Sequence, residues 1–190
     1  MREIRRSSGP PRRSQRRSGL QYAVTVALTS LLLTGCSPAR STQYHVDPAV
    51  SRLPVVAADT ALVGALPPAL RAHVVATGTS AEGSFAIALA GGRCAVAVFR
   101  DSDTDVVSAR VPRSSDDPVS TPTPTAARYP IGPSTSVAAA TTLAEVTLWC
   151  GTEGAAITLR PGATFTTTGT IELVTDATDT ASFVTSTEGR

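Results

Sequence analysis

The chain has 190 residues, and its 17 basic residues are all arginine, against 15 acidic residues, for a formal net charge of +2. Seven arginines and one acidic residue lie in the first 19 residues, so the chain from residue 36 onward carries 10 arginines, 14 acidic residues and a net charge of −4 with both histidines neutral. The absence of a basic stripe argues against nucleic acid as a partner, and an aromatic content of 4% leaves few side chains for stacking on sugars or bases.

A charged head and a short apolar run open the chain. Positive charge ahead of an apolar segment is typical of an export signal, because the positive end stays on the cytoplasmic side. The apolar run at residues 20–33 has 14 residues, whereas a helix that spans a bilayer needs about 20. The run ends in Leu33-Thr34-Gly35-Cys36, and this pattern of leucine, two small residues and cysteine resembles the lipobox of bacterial lipoproteins.

The lipobox resemblance implies that a signal peptidase cuts between Gly35 and Cys36 and removes residues 1–35. Cys36 would then carry a diacylglyceryl group with palmitate-like chains, and two acyl chains give stable anchoring. We therefore expect a protein anchored in membrane lipid on the extracytoplasmic face of the cell membrane. The composition, in which every basic residue is arginine and alanine and threonine are abundant, resembles that of actinobacterial proteins. The export route, general secretory or twin-arginine, stays open.

The mature part divides into a tether and a domain. Residues 36–50 are polar and contain two prolines, which predicts a flexible tether, and residues 51–190 predict a single β-rich domain. Residues 53–58 predict a short strand. Residues 69–76 predict a short helix, because the two prolines before them suit the first helical turn.

The clearest element is a β-hairpin centred on Gly91-Gly92. Two apolar runs flank this pair, and glycine tolerates the positive φ angles of a two-residue turn. Side chains alternate along a strand, so the bulky residues share one face, which we expect to be the core face, and alanines share the other. The predicted cross-strand pairs are Leu89 with Cys94, Ile87 with Val96, and Phe85 with Val98.

Alternate aspartates follow the hairpin. Asp101, Asp103 and Asp105 are spaced like the odd-numbered ligands of a calcium loop. The helix–loop–helix version of that loop also needs a glycine and a glutamate where this chain has Val106 and Pro112, so that family is excluded. The three aspartates remain candidates for a looser calcium site, with a solvated turn before a strand at residues 106–111 as the alternative.

A loop rich in proline, serine and threonine occupies residues 112–136. It is too long for an ordinary connection between strands, so we expect disorder, with its threonines as candidates for O-linked sugar. Residues 141–150 then predict a strand with Trp149 on the face opposite the core. The predicted core side chains of this strand are Ala144, Val146, Leu148 and Cys150.

The last part of the chain predicts three more strands. They lie at residues 155–159, at residues 164–175 as one long threonine-rich strand, and at residues 183–184 as a short one. Together these elements predict an all-β fold, a small antiparallel β-sandwich or barrel of about seven or eight strands with one disulfide and room for one short helix.

The cysteines predict one crosslink. Once Cys36 is lipidated, Cys94 and Cys150 remain, each on the apolar face of its strand, and the compartment permits oxidation. The alternative is a catalytic Cys94, because Gly91-Gly92-Arg93-Cys94 superficially resembles the glycine–cysteine corner of cell-wall transpeptidases. The histidine and hydroxyl residues that accompany that corner are missing, and His73 has no acidic neighbour to orient it. We therefore assign no catalytic residue and predict a Cys94–Cys150 disulfide.

These features favour a non-enzymatic binding or interaction module at the cell envelope. Its expected partners are membrane lipid, through the acylated N-terminus, and another envelope protein or a wall component. A cell-wall hydrolase or transpeptidase using Cys94 and a calcium or small-ligand sensor are the alternatives. The sequence contains no phosphate loop, zinc-ligand cluster or nucleophile elbow, so we expect no cofactor.

Overall fold

Ten strands and one α-helix make up the regular structure of the part of the chain that the computed structural model describes, residues 41–120, 131–175 and 179–185. The predicted signal peptide and Cys36 lie outside the described residues. The helix α1 is Thr60–Ala65, and short 3-10 helices occupy Val50–Arg52 and Pro68–Leu70. The strands are β1 Val74–Thr79, β2 Ser84–Ala90, β3 Arg93–Arg100, β4 Asp103–Arg110, β5 Ser134–Ala140, β6 Glu145–Gly151, β7 Gly154–Arg160, β8 Thr166–Gly169, β9 Glu172–Thr175 and β10 Thr180–Thr185.

The strands form two five-stranded antiparallel sheets, which confirms the predicted all-β sandwich class with more strands than expected. The first sheet has the order β4-β3-β2-β1-β8, and the second has the order β5-β6-β7-β10-β9. Inward-facing side chains of both sheets form the main apolar core. A two-layer arrangement of this kind buries one face of each sheet against the other.

The β2–β3 hairpin has the predicted register. Its turn is Gly91-Gly92, with φ angles of 56° and 72°, which glycine adopts without a Cβ clash. Phe85 pairs with Val98 and Leu89 pairs with Cys94, and these side chains lie in the core between the sheets. The local alternation and the turn chemistry were therefore sufficient to predict this unit.

The alanine face of the hairpin is also buried, although nothing in the local sequence pattern indicates what covers it. Small side chains leave room for α1 and the following 3-10 turn to lie on the outer face of the first sheet. The Asp59 carboxylate accepts a hydrogen bond from the Ala61 amide at 2.7 Å and caps the helix. The side chains of this second apolar cluster include Leu62, Leu66, Leu70, Ala86, Ala88, Ala95 and Ala97.

Two predicted elements before the hairpin are wrong in place or type. The segment at 53–58 is not a strand; its link to the first sheet includes a hydrogen bond from the Val56 amide to the Val74 carbonyl. The predicted helix at 69–76 ends after the 3-10 turn, and residues from Val74 onward form β1. Consecutive β-branched side chains at Val74 and Val75 fit a pleated sheet better than a helix.

The predicted core face of the strand at 141–150 is confirmed, and the single strand predicted at 164–175 is wrong. Val146, Leu148 and Cys150 face the core as predicted, and Trp149 packs on the opposite face. The long strand predicted at 164–175 is two strands, because β8 joins the first sheet and β9 joins the second. The chain turns at Gly169, whose φ of 102° brings its backbone close to the Val75 carbonyl. Any Cβ at this position would clash, so glycine permits the crossing.

The segment predicted as a tether contacts the domain from residue 41 onward. The Tyr44 amide donates to the Arg113 carbonyl at 2.7 Å, and the Asp47 amide donates to the Thr152 carbonyl at 2.7 Å. Val50 is buried in the main core. These backbone hydrogen bonds and one apolar anchor hold a polar sequence that composition alone marks as flexible. We call residues 41–50 the N-terminal strap.

The proline-rich loop is described at its two ends, while residues 121–130 lie outside the described residues. At its start, Ser114 bridges to Gln43 of the N-terminal strap. At its end, β5 already begins at Ser134, and the Ser120 amide donates to the Ser134 carbonyl at 2.7 Å. Within the three described ranges, no helix combines the length and the apolar character that crossing a membrane requires.

Candidate functional site

The two predicted disulfide cysteines are bonded to each other. Cys94 of β3 and Cys150 of β6 join the two sheets with a Cα–Cα distance of 5.6 Å, which lies within the usual range for a disulfide. Both side chains are buried in the main core. The disulfide is therefore confirmed, and Cys94 has no free thiol to act as a nucleophile.

The three candidate calcium ligands do not converge. Asp101 lies in the turn between β3 and β4 and is 3.5 Å from the Arg100 guanidinium. The Asp105 carboxylate accepts a hydrogen bond from the Thr142 amide at 2.6 Å. Asp103 and Asp105 belong to one strand, where residues two apart are separated by about 6.6 Å. Among the described residues, no group of three or more histidine, cysteine, aspartate or glutamate side chains could hold a metal ion.

A cleft of about 250 Å³ lies at one end of the first sheet. Its walls come from three segments: the N-terminal strap, the Gly91-Gly92 turn and the end of β4 with the residues that follow it. Three of the lining side chains are arginines, and none is acidic. We call this feature the arginine cleft. It is lined by Tyr44, Val46, Gly91, Gly92, Arg93, Arg110, Val111, Pro112 and Arg113.

Strand register places two of the arginines side by side. Arg93 begins β3 and Arg110 ends β4, and the two residues are direct cross-strand partners. Side chains in this position share one face of the sheet and lie close together. The Val111 amide donates to the Gly92 carbonyl at 2.9 Å, which extends the pairing past the strand ends and holds both arginine positions next to the turn.

Backbone hydrogen bonds to the N-terminal strap and to Asp117 hold the third arginine, Arg113, in place. The Arg113 carbonyl accepts from the Tyr44 amide at 2.7 Å. The Arg113 amide donates to the Asp117 carboxylate, which also accepts from the Ser114 amide at 3.3 Å. The backbone on both sides of Arg113 is therefore fixed, while its side chain is exposed at the cleft.

None of the three guanidinium groups has an ion-pair partner within the described part of the chain, where the ion pairs are Arg100–Asp101 and Arg160–Asp179. Arg93 and Arg110 are therefore like charges placed opposite each other without neutralisation, an arrangement that destabilises a sheet. A bound anion would remove this repulsion.

The arginine cleft was not predicted, although part of its signal is present in the sequence. The Gly91-Gly92 turn places Arg93 at the start of β3, but the register of β4 is needed to bring Arg110 opposite it. The predicted strand at 106–111 lacks the three residues that begin β4, so its pairing with β3 could not be read from the sequence. Tyr44 and Arg113 lie in segments whose composition is typical of a tether and a loop, and nothing local marks them as lining residues.

The chemistry available in the cleft is recognition of an anion. Guanidinium groups bind oxyanions through paired N–H donors. Tyr44 also lines the cleft, and its hydroxyl is a further hydrogen-bond donor. The lining residues include no cysteine, histidine, serine or carboxylate that could act as a nucleophile or general base. No protein-family model matches this chain, and no curated protein or solved structure matches it either.

Proposed function

We propose that this protein is a membrane-anchored surface lipoprotein that acts as a non-enzymatic binding module at the cell envelope, with the arginine cleft as its binding site. The observation that carries the proposal is the set of three arginine residues that line one cleft and have no ion-pair partner among the described residues. Two of these arginines are cross-strand partners of like charge, and all three are accessible to solvent, which favours a role in recognition. The lipobox resemblance at Cys36 supports the envelope location.

The rigid body behind the cleft supports the same role. Arg93 is next in sequence to Cys94, whose disulfide ties β3 to the opposite sheet. The main chain at the two ends of the cleft is fixed by the Tyr44–Arg113 hydrogen bond and the Val111–Gly92 hydrogen bond. A binding site whose framework is already ordered loses little conformational entropy when a ligand binds.

Intact-mass analysis tests the anchoring part of the proposal. The mature wild-type protein should begin at Cys36 and carry a diacylglyceryl adduct, and a Cys36→Ala variant should carry no such adduct. Ser37→Ala is the matched control, because it changes the neighbouring residue and leaves the acceptor thiol. A wild-type product that begins elsewhere or lacks acyl chains would contradict the anchoring.

Affinity capture from native envelopes tests the binding part. The lipidated wild-type protein should retain envelope components that an Arg93→Gln/Arg110→Gln variant loses. Arg100→Gln is the control, since it removes one positive charge from the other end of β3, where the guanidinium forms an exposed pair with Asp101. Identical capture by all three proteins would mean that the arginine cleft is not the binding site.

A further inference from the structure

We infer that the arginine cleft is a phosphate site, which binds a phosphate group of an anionic phospholipid headgroup or of a soluble phosphate ester. The inference rests on the proposed binding function and names the ligand class of that same site. It follows from the number of guanidinium groups, from the engagement of the nearby carboxylates, and from the size and exposure of the cleft.

The number of donors fits phosphate better than carboxylate. A carboxylate has two oxygens, and one arginine in bidentate geometry satisfies both of them. Three arginine residues, Arg93, Arg110 and Arg113, line this cleft. A phosphate monoester offers three free oxygens and up to two negative charges, so it can engage more than one guanidinium and neutralise the repulsion between Arg93 and Arg110. The phosphodiester of a phospholipid offers two free oxygens and one negative charge, so the number of donors favours a monoester more strongly than a lipid headgroup.

Two nearby carboxylates already accept hydrogen bonds from the backbone. Asp117 accepts hydrogen bonds from the Arg113 and Ser114 amides. Asp47, which follows the lining residue Val46, accepts a hydrogen bond from the Ala49 amide at 2.8 Å. Both carboxylates stabilise turns of the chain rather than pairing with a guanidinium. Both carboxylates keep their negative charge, but neither forms an ion pair with a cleft arginine among the described residues. The N–H donors of these guanidinium groups therefore remain available to a ligand.

The size and exposure of the cleft suit a phosphate carried on a larger molecule. A volume of about 250 Å³ is many times the roughly 10–15 Å³ that a cavity needs on this measure to hold one water, so a phosphate group and its hydrating waters fit. Arg93, Arg110 and Arg113 are all exposed, so the group can enter while the rest of its molecule stays outside.

The short segment between Cys36 and the cleft makes a lipid headgroup one of the two candidate sources of the phosphate group. Seven residues separate Cys36 from Tyr44, and the eight residue-to-residue steps reach at most about 28 Å when the chain is extended. If Cys36 carries acyl chains in a bilayer, this short connection limits how far the cleft can be from the headgroups. Basic residues near an anionic surface strengthen attachment that begins with a lipid anchor.

The test uses the full mature lipoprotein in a detergent that contains no phosphate. Isothermal titration with inorganic phosphate and with glycerol 3-phosphate, at constant ionic strength, should give saturable binding that weakens as sodium chloride is added. Arg93→Gln/Arg110→Gln should bind each probe at least about tenfold more weakly, as expected for the loss of charge-assisted hydrogen bonds. Arg100→Gln should bind like wild type.

The double variant should fold, because its changes remove a repulsion. An unliganded melting temperature equal to or above that of wild type would show that weaker binding is not a folding defect. Arg113→Gln provides a second variant on a different segment, and it should also weaken binding. Saturable binding that is the same in wild type and in both cleft variants would overturn the inference, as would no binding at millimolar phosphate.

Reconstitution separates the two sources of phosphate. The melting temperature is measured in vesicles of phosphatidylcholine with and without added phosphatidylglycerol. A melting temperature that phosphatidylglycerol raises in wild type, but not in Arg93→Gln/Arg110→Gln, supports a lipid headgroup. A melting temperature that rises with glycerol 3-phosphate but not with phosphatidylglycerol supports a soluble ester. A melting temperature that rises with neither probe overturns the inference. If the Cys36 adduct and arginine-dependent envelope capture persist in that case, the proposed binding function stands with a different ligand.

Discussion

Reduction of the Cys94–Cys150 disulfide should remove a large share of the stability of this domain. The bond closes a loop with a sequence separation of 56 residues, and the chain-entropy model assigns roughly 4 kcal/mol to a closure of this length. Small domains unfold with a total free energy of about 5–15 kcal/mol. The reduced protein should therefore be folded under mild conditions but only weakly stable.

Urea unfolding followed by tryptophan fluorescence measures this effect, because Trp149 is the single tryptophan and is 6% exposed. With a typical urea dependence of about 2 kcal/mol per molar, 4 kcal/mol corresponds to a midpoint lowered by about 2 M after reduction. A shift below about 0.5 M would refute the reasoning. Alkylation of both cysteines in the untreated native protein would refute it independently.

A Cys94→Ala/Cys150→Ala variant is the matched control for the reductant. Its midpoint should not respond to reduction, and it should unfold near the midpoint of the reduced wild-type protein. Both sulfur atoms lie in the main core, so the alanine pair also loses some packing and should be slightly the less stable of the two.

Three further substitutions test the packing of the two sheets in the same urea titration. Ala97→Leu should lower the free energy of unfolding by about 1–3 kcal/mol, because Ala97 is fully buried in the cluster beneath α1; an unchanged midpoint would show that α1 does not cover this face. Ser182→Ala should leave stability unchanged or raise it by about 1 kcal/mol, because the buried Ser182 hydroxyl has no hydrogen-bond partner among the described residues; a clear loss would indicate a partner. Gly78→Ala should cost about 1–3 kcal/mol, because a Cβ there would lie 2.3 Å from the Phe85 ring. Truncating the ring in Gly78→Ala/Phe85→Leu should recover part of that loss, whereas fully additive losses would contradict the proposed clash.

Local patterns in the sequence were enough to predict the hairpin and the disulfide. The Gly91-Gly92 turn has few allowed backbone angles, and it sets the register of the strands that it joins. Side-chain alternation then placed Cys94 on the core face of β3, and the same rule placed Cys150 on the core face of β6. The pairing of these two cysteines required only that both faces meet in one core and that Cys36 be lipidated, which stays a prediction.

The elements that the sequence analysis missed depend on pairing and packing partners that are distant in the chain. Residues 164–175 have one continuous strand pattern, yet β8 pairs with β1 and β9 pairs with β10. The alanines of the hairpin could face solvent or a helix, and only the position of α1 selects between them. Residues 41–50 are polar, and the carbonyl groups of distant residues hold them against the domain.

Apart from the place of Arg93 beside the Gly91-Gly92 turn, the arginine cleft also depends on partners that are distant in sequence. Its three charges come from the start of β3, the end of β4 and the chain beyond it, and the N-terminal strap completes the wall. The sequence by itself determined that these residues carry positive charge, and like charges placed close together repel. Only the tertiary structure decided that they meet, because hydrogen bonds between segments far apart in the chain, such as that of Tyr44 with Arg113, bring them to one end of the sheet.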